Sequence, residues 1–517
     1  MSGKVGAAAS THDSRSAASQ PNVLMIVTDQ QRWDGLGAAG NRVLRTPNMD
    51  RLAAEGVRCS DYFVSYPFCM PSRASYLTGR YPHAHGCWDN GVILPEETVT
   101  VAHRFAEHGY HTGLIGKGHL TTHQSEGTPD SYTALDQPGF ADWHGPYYGF
   151  EEVWLTAGHN RPTGHYGLWL REHHPASLEL FEAETATKPS TGAPMSWKSA
   201  LPVEHHASTW IGDRTIDFLD RHGDRPFFLQ VSFPDPHIPF CPPAPYDDMY
   251  ALADVPLPLR RPGELDDKPP HFKAFREGRI DGFGGRASPD LTGMTDDQTR
   301  EIVAHTYGMI SLIDDTLGRV FARMDELGLF ENTLVLLTTD HGELLGDHWL
   351  VGKGPFHYDS LIKVPLLWRF PDGWAGGRAA GRAAGRVADG LMSNVDVAPT
   401  ILDIAGLPEL PDQQGRSMLP LLTGDDGSVA RERVLVEFDW RFVPGLRAKT
   451  IRTRHHKLTA YPNQPYGELY DLDADPGEFV NRWDDPALAG TKSELLAGLV
   501  DLLTESQGRL PPRLAPN

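Results

Sequence analysis

No stretch of the 517-residue chain holds the roughly 18 consecutive apolar residues that cross a bilayer. Near its start the longest apolar run is Val23–Val27, too short even for the core of a signal peptide. A cytoplasmic protein with no membrane partner is the expectation. Cysteine is scarce: Cys59, Cys69, Cys87 and Cys241 are the only four. They form no C-x-x-C pair, which argues against a thioredoxin motif or a zinc knuckle. Four in a chain this long do not make a disulfide framework, so reduced thiols are expected. Basic charge is also short, with 47 Lys and Arg against 68 Asp and Glu, a net charge of −21. That balance argues against nucleic acid as a partner, although a local basic pocket stays open. There is no internal repeat. Gly376–Gly385, built of Gly, Arg and Ala, reads as a flexible surface loop.

Hydrophobic residues make up 40% and charged residues 22%, which excludes an intrinsically disordered chain. The length suits a large α/β domain with a smaller one beside it. Residues 1–20 are rich in Ser and Ala and read as a disordered tail. From there strands alternate with helices. Strands are expected at Asn22–Thr28, His111–Ile115, Pro226–Phe233, Thr333–Thr338 and Val364–Phe370. Helices are expected at Met49–Glu55, Ser72–Thr78, Val101–His108, Ser208–Arg221, Asp296–Leu327 and Asp396–Ala405. Residues 121–205 have weak periodicity and many Gly, Pro, His and Trp, and read as loops inserted around a site. From about 430 the pattern changes to short strands at Val434–Phe438, Lys449–Arg452, Lys457–Ala460 and Leu469–Leu472, with a last helix near Ser493–Glu505. The fold class expected is α/β, a large mostly parallel sheet between helices, with a smaller α+β C-terminal domain. The boundaries expected are 21–410 for the catalytic domain and 411–517 for the C-terminal one.

Ligands of such sheets bind beyond the carboxyl ends of the strands. Four expected strands deliver chemistry-bearing groups there: Asp29 and Gln30, Lys117 and His119, Asp235 and His237, Asp340 and His341. Asp29, Gln30 and Asp340 form a hard oxygen set suited to Ca²⁺ or Mg²⁺, with Mn²⁺ as a further candidate. The competing reading of a lone Asp at a strand end is a helix N-cap. Lys117, His119, His237 and Lys353 add positive charge. A divalent cation ringed by such groups suits a small anion such as sulfate or phosphate.

The most specific string is Cys69-Met70-Pro71-Ser72-Arg73, continued by Ala74-Ser75-Tyr76-Leu77-Thr78-Gly79-Arg80. It closely resembles the C-x-P-S-R-x-x-x-L-T-G-R signature of the type I sulfatases, members of the alkaline-phosphatase-like superfamily. Pro21-Asn22-Val23 through Gln30, Thr46 through Leu52, Gly116 through Leu120, Pro236-His237, Thr339 through Glu343 and Leu469 through Leu472 resemble the same family, in its order. The resemblance implies that Cys69 is converted to formylglycine by a formylglycine-generating enzyme. Hydrated, that aldehyde carries two hydroxyls, one to attack and one to expel the bound group; a serine lacks the exit.

The resemblance also distributes roles. It places the metal on Asp29, Gln30, Asp340, His341 and the modified Cys69. Arg73 pairs with the metal-site carboxylates. Lys117 and Lys353 neutralise the transferred group. His119 is the base that collapses the intermediate, and His237 protonates the leaving alkoxide. Two departures matter. Many sulfatases have Asp-Asp where this chain has Asp29-Gln30, and Asn where it has His341. Those two sites resemble the branch of phosphonate monoester hydrolases, phosphodiesterases and choline sulfatase, in which Asn90 matches a substrate-contacting Asn. Lys117 and His119 stay sulfatase-like. The resemblance therefore implies sulfate-ester hydrolysis, with a phosphonate-monoester or phosphodiester substrate as the alternative. Trp143, His144, Tyr147, Tyr148, His159, His165 and Trp169 either line a sugar or aromatic pocket or pack the insertion onto the core. Tyr246–Thr295 offers a surface for homo-oligomer contacts.

Overall fold

The computed structural model describes residues 20–158, 160–186, 188, 190–280, 288–372, 384–424, 431–440 and 445–507. The expected tail, except Gln20, therefore lies outside the described residues, as do most of the Gly376–Gly385 stretch, His159, and residues 281–287 of the expected oligomer surface.

An eight-stranded sheet forms the centre. Its strands are β1 (Asn22–Thr28), β2 (Val57–Phe63), β3 (His111–Gly116), β4 (Glu152–Leu155), β5 (Phe227–Ser232), β6 (Thr333–Thr339), β7 (Leu366–Arg369) and β8 (Arg386–Ser393). Their order is β4-β3-β5-β1-β6-β7-β2-β8. The run β4 through β6 is parallel throughout. Only β7 runs antiparallel to both its neighbours. All seven residues of β1 and of β6 are buried, as expected for central strands covered on both faces. The period-two alternation divides them between two cores. Val23, Met25, Val27, Leu334 and Leu336 enter one apolar cluster, and Leu24, Ile26, Val335 and Leu337 enter the other.

The helices cover those faces. The 31-residue helix Asp296–Glu326 starts on a Thr295/Gln298 capping box and packs against helices Ala207–His222 and Pro47–Glu55. A four-stranded antiparallel sheet lies C-terminal: β9 (Arg433–Trp440), β10 (Leu446–Thr453), β11 (His456–Ala460) and β12 (Gly467–Asp471). Leu435, Ile451, Leu458 and Leu469 on its one face bury against Leu495, Leu499 and Leu502 of helix Ala489–Glu505. Phe438 and Trp440 join Tyr66, Phe68, Phe272 and Phe356 in a cluster next to the site.

The 121–205 stretch is more ordered than expected, since it supplies edge strand β4 and the helix Gly164–His173. Its described aromatics pack inward. His165 hydrogen-bonds the Trp143 carbonyl and the Leu155 N–H (2.8 and 2.9 Å) and stacks on Phe140 and His144. Tyr147 and Tyr148 are buried, with their hydroxyls on Asp130 and the Leu94 carbonyl. Trp169 packs on Tyr166. The packing reading of these rings is the one the geometry supports.

Candidate active site

Strands β3, β5, β1 and β6 are consecutive across the sheet, so their carboxyl ends form one edge. Lys117, Asp235, Asp29 and Asp340 follow those ends and are all buried. Backbone bonds continue the ladder past the strands: Asp29 N–H donates to the Asp235 carbonyl (3.0 Å) and Asp340 N–H to the Thr28 carbonyl (3.3 Å). The two Asp side chains are thereby held at fixed positions.

Cys69 is the first residue of helix Cys69–Thr78, every residue of which is buried. Pro71 is tolerated because it sits in the first turn, where backbone N–H groups have no helical partner. The Met70 N–H, one of those orphans, donates to Asn90 Oδ1 (3.0 Å). Asn90, assigned above to substrate, thus caps the helix that begins at Cys69. The helix ends on Gly79 at φ 66°, a left-handed conformation that suits glycine. Ser72 Oγ donates to the Asp340 carbonyl and ties helix to sheet edge. The positive end of the helix dipole falls at Cys69 and favours an anion there.

Arg73 is fully buried and bridges the two carboxylates: Nε to Asp340 Oδ2 at 2.9 Å, an Nη to Asp29 Oδ2 at 3.2 Å. Its other Nη donates to the Lys117 carbonyl and Ser232 Oγ, both at 2.9 Å. Lys117 Nζ also pairs with Asp29 Oδ2. These bonds use Oδ2 of each Asp. The Oδ1 atoms of both lie 3.7 Å from His341 Nε2. Asp29 Oδ1 is also 3.8 Å from Cys69 Sγ. His341 Nδ1 faces the Gly342 carbonyl at 2.9 Å, which leaves Nε2 with its lone pair toward the cluster. Asp29, Cys69, Asp340 and His341 therefore converge as potential metal donors. Gln30 stands beside them, its N–H on Asp340 Oδ1 (3.1 Å), and its side-chain Oε1 is buried without a hydrogen-bond partner. A buried amide oxygen in want of a donor, on a residue whose backbone N–H bonds the Asp340 carboxylate of that cluster, fits a divalent cation.

Lys353 Nζ is a second hub of the site. It lies 3.2 Å from Cys69 Sγ, 3.0 Å from His341 Nε2 and 2.8 Å from His237 Nε2. His237 Nδ1 donates to the Ile238 carbonyl at 2.6 Å, so its Nε2 accepts from Lys353. Burial and the Asp29 carboxylate oppose ionisation of the Cys69 thiol, but Lys117 and Lys353 outweigh them and hold it below its usual value. Burial and Lys353 oppose protonation of His341, yet Asp340 and Cys69 raise its pKa above the usual value.

His119 has left-handed backbone (φ 57°) and stacks on His123 with centroids 3.7 Å apart. Burial, then His123 and Lys117, push its pKa well down. It is neutral, with Nδ1 unpaired. Its loop is held by Asp130, which accepts from the backbone N–H groups of His119 (2.9 Å) and Thr121 (3.1 Å). Sequence reasoning missed Asp130, His123 and the task of Glu343. Glu343 accepts from Gln30 Nε2 and from the N–H groups of Leu345 and Gly352. It stood in a quoted motif without a role; the other two had no signal.

Lysines gathered around a cysteine at a helix N-terminus, beside a set of potential metal donors, suit a hydrolase of anionic esters. Comparison with known proteins gives the family: the sulfatase family matches residues 21–407, and this chain belongs to it, a sulfuric ester hydrolase of the alkaline-phosphatase-like superfamily. A second match, "N-sulphoglucosamine sulphohydrolase, C-terminal", covers residues 346–505. The chain is 32% identical to the multifunctional alkaline phosphatase superfamily protein PehA of Trinickia caryophylli, over 90% of this chain and 92% of that one. It is 30% identical to an arylsulfatase of Clostridium perfringens, over 89% and 90%. The phosphonate monoester hydrolase of Agrobacterium radiobacter has a similar structure, with TM-score 0.80, 28% identity and coverage of 94% and 96%.

Proposed function

We propose that the protein hydrolyses sulfate esters to an alcohol and inorganic sulfate, with formylglycine made from Cys69 by a formylglycine-generating enzyme. The observation that carries this reading is the position of Cys69 Sγ, on a helix N-terminus and within 3.3 Å of both Lys353 Nζ and His341 Nε2. Formylglycine, hydrated, would supply one hydroxyl as nucleophile and a second for release of the sulfate. A divalent cation held by Asp29, Gln30, Asp340, His341 and residue 69 would supply Lewis acidity; Ca²⁺ suits the oxygen donors, and Mg²⁺ and Mn²⁺ are the alternatives.

This chain's own residues do the rest. Lys117 and Lys353 offset the charge on the sulfate oxygens. The pair Lys353–His237 carries a proton between two nitrogens 2.8 Å apart and delivers it to the leaving alkoxide from His237 Nε2. Neutral His119 has a free nitrogen to take a proton during release of the sulfate. Arg73 holds Asp29 and Asp340 in place. The four cysteines are free and buried, in keeping with a cytoplasmic setting; among the described residues no helix is long and apolar enough to cross a membrane.

A second reading, hydrolysis of phosphonate monoesters or phosphodiesters, is favoured by Gln30 and His341 among the metal donors and by the likeness to phosphonate monoester hydrolase. Parallel kinetics on 4-nitrophenyl sulfate, phenylphosphonate monoesters and a bis-phosphate ester separate the two. Sulfate is expected to have the highest kcat/KM, and a sulfate activity below the phosphorus ones reverses the order. The Cys69 peptide is expected to weigh about 18 Da less than its thiol form; a thiol mass in active enzyme defeats the mechanism.

A further inference from the structure

We propose that Glu343 is a positioning residue that aims the Gln30 amide oxygen at the metal and, through the same carboxylate, sets the loop that carries Lys353. The inference rests on the reading of Asp29, Gln30, Asp340 and His341 as metal donors. Glu343 and Gln30 are each 1% exposed, so neither can turn to water. One carboxylate oxygen of Glu343, Oε2, accepts from Gln30 Nε2. The other, Oε1, accepts from the backbone N–H groups of Leu345 (3.1 Å) and Gly352.

A glutamine amide has one acceptor end and one donor end, and a half-turn exchanges them. A carboxylate only accepts. Glu343 therefore holds the NH₂ end and turns Oε1 away from itself, and Oε1 is left buried without a partner. A buried acceptor left unmade is costly, a cost that a cation in the adjoining donor cluster removes. Glu343 is itself no ligand in this arrangement, because both its oxygens are engaged. Gly352, held by Oε1, is the residue before Lys353, whose Nζ is 3.2 Å from Cys69 Sγ. One buried carboxylate thus sets both a candidate metal ligand and a cation beside Cys69.

The amide's direction can be inverted by exchange. In Glu343→Gln the new oxygen is still demanded by Leu345 and Gly352, so its NH₂ faces the Gln30 NH₂. Gln30 must then flip and present its NH₂ to the cation. In the double variant Gln30→Glu/Glu343→Gln, the carboxylate at 30 accepts from the amide at 343 with one oxygen and offers the other to the metal. Chelated protein is titrated with Ca²⁺ and, separately, Mn²⁺ by calorimetry, with intrinsic tryptophan fluorescence to confirm folding. Loss of such an outer hydrogen bond is worth about 10–100-fold in metal affinity. Glu343→Gln is expected to lose that much, and the double variant to recover to wild type or tighter. A single variant that binds as tightly as wild type overturns the inference, as does a double variant no tighter than the single. If wild type itself binds neither cation, the metal reading fails, and the inference with it.

Discussion

At the residue scale the proposed route of a proton to the leaving group runs through the hydrogen bonds of His237. Its Nδ1–H is spent on the Ile238 carbonyl, so Nε2 receives its proton from Lys353, 2.8 Å away. A leaving group that is stable as an anion does not need that proton; an alkoxide does. His237→Ala is therefore expected to cost roughly 10²–10⁴-fold in kcat/KM on an alkyl sulfate and much less on 4-nitrophenyl sulfate. Equal losses on the two substrates would remove His237 from the acid's place. Asp29, Lys117, Asp340 and His341 were readable from the sequence because each lies within two residues of the end of an apolar strand, and parallel neighbours bring such ends together. Cys69 and Arg73 were readable from the local string around them. Asp130 and His123 were not. They act on His119 from a segment rich in Gly and Pro, where no periodicity marks which carboxylate holds a loop. Asn90 illustrates the converse: its place relative to the motif was visible, but its bond to the Met70 N–H is a tertiary fact.

At the element scale the catalytic edge and the opposite rim of the sheet have different tasks. β4 is a four-residue edge strand paired only with β3. Its first residue, Glu152, sits at the rim away from the site and accepts from His111 Nε2 (3.2 Å), His222 Nε2 (3.0 Å) and Arg221 (2.6 Å). These contacts tie β3, β4 and the end of helix Ala207–His222 together. Burial pushes the Glu152 carboxyl up, but His111, Arg221 and Trp154 outweigh it and hold it below the usual carboxylate range. The tie is therefore complete above the ordinary carboxylate pKa and weakens as pH falls through the depressed one. Solvent reaches part of the network, so Glu152→Gln is expected to cost only about 1 kcal/mol, read as a lower urea midpoint and faster amide exchange in β4. Unchanged exchange there would show that β4 is held by its apolar residues alone. Sequence pattern placed the central strands to within a residue or two, because they are continuously apolar. It missed β2, β4 and β8. In β2, Arg58, Ser60 and Asp61 interrupt the apolar pattern, and β8 follows directly on the Gly-, Arg- and Ala-rich stretch.

At the scale of the whole molecule, stability against acid is set by groups buried in one protonation state. His85, His271 and His357 are 3%, 5% and 3% exposed, and burial pushes the pKa of each down to about 3. Burial likewise lowers His165 to about 4. In the unfolded chain these histidines titrate near 6.5. Below that value the unfolded state binds protons that the folded state refuses, so stability falls as pH falls, by about 2 kcal/mol per histidine at pH 5. Five buried acids with raised pKa values, Asp235, Glu264, Asp314, Glu343 and Asp347, work against this. Burial raises Glu264 to about 7 and Asp314 to about 6, so protonating them favours the fold as pH drops; each returns about 1–2 kcal/mol. Burial also lowers His119, His123, His206, His305 and His348, so the histidines outweigh the acids. The net charge of −21 also relaxes on acidification, but at physiological salt its repulsion is screened beyond about 8 Å. The urea midpoint at constant salt is therefore expected to fall steadily between pH 7 and pH 5. His271 and His357 flank Phe356 in the aromatic cluster against the C-terminal sheet, so loosening is expected to begin there. His271→Gln keeps a donor for the Pro355 carbonyl and removes one titrating group, so it is expected to flatten the pH slope by about one proton. A midpoint that stays level from pH 7 to 5, or a variant slope equal to wild type, would mean that these rings gain their protons without opening the fold.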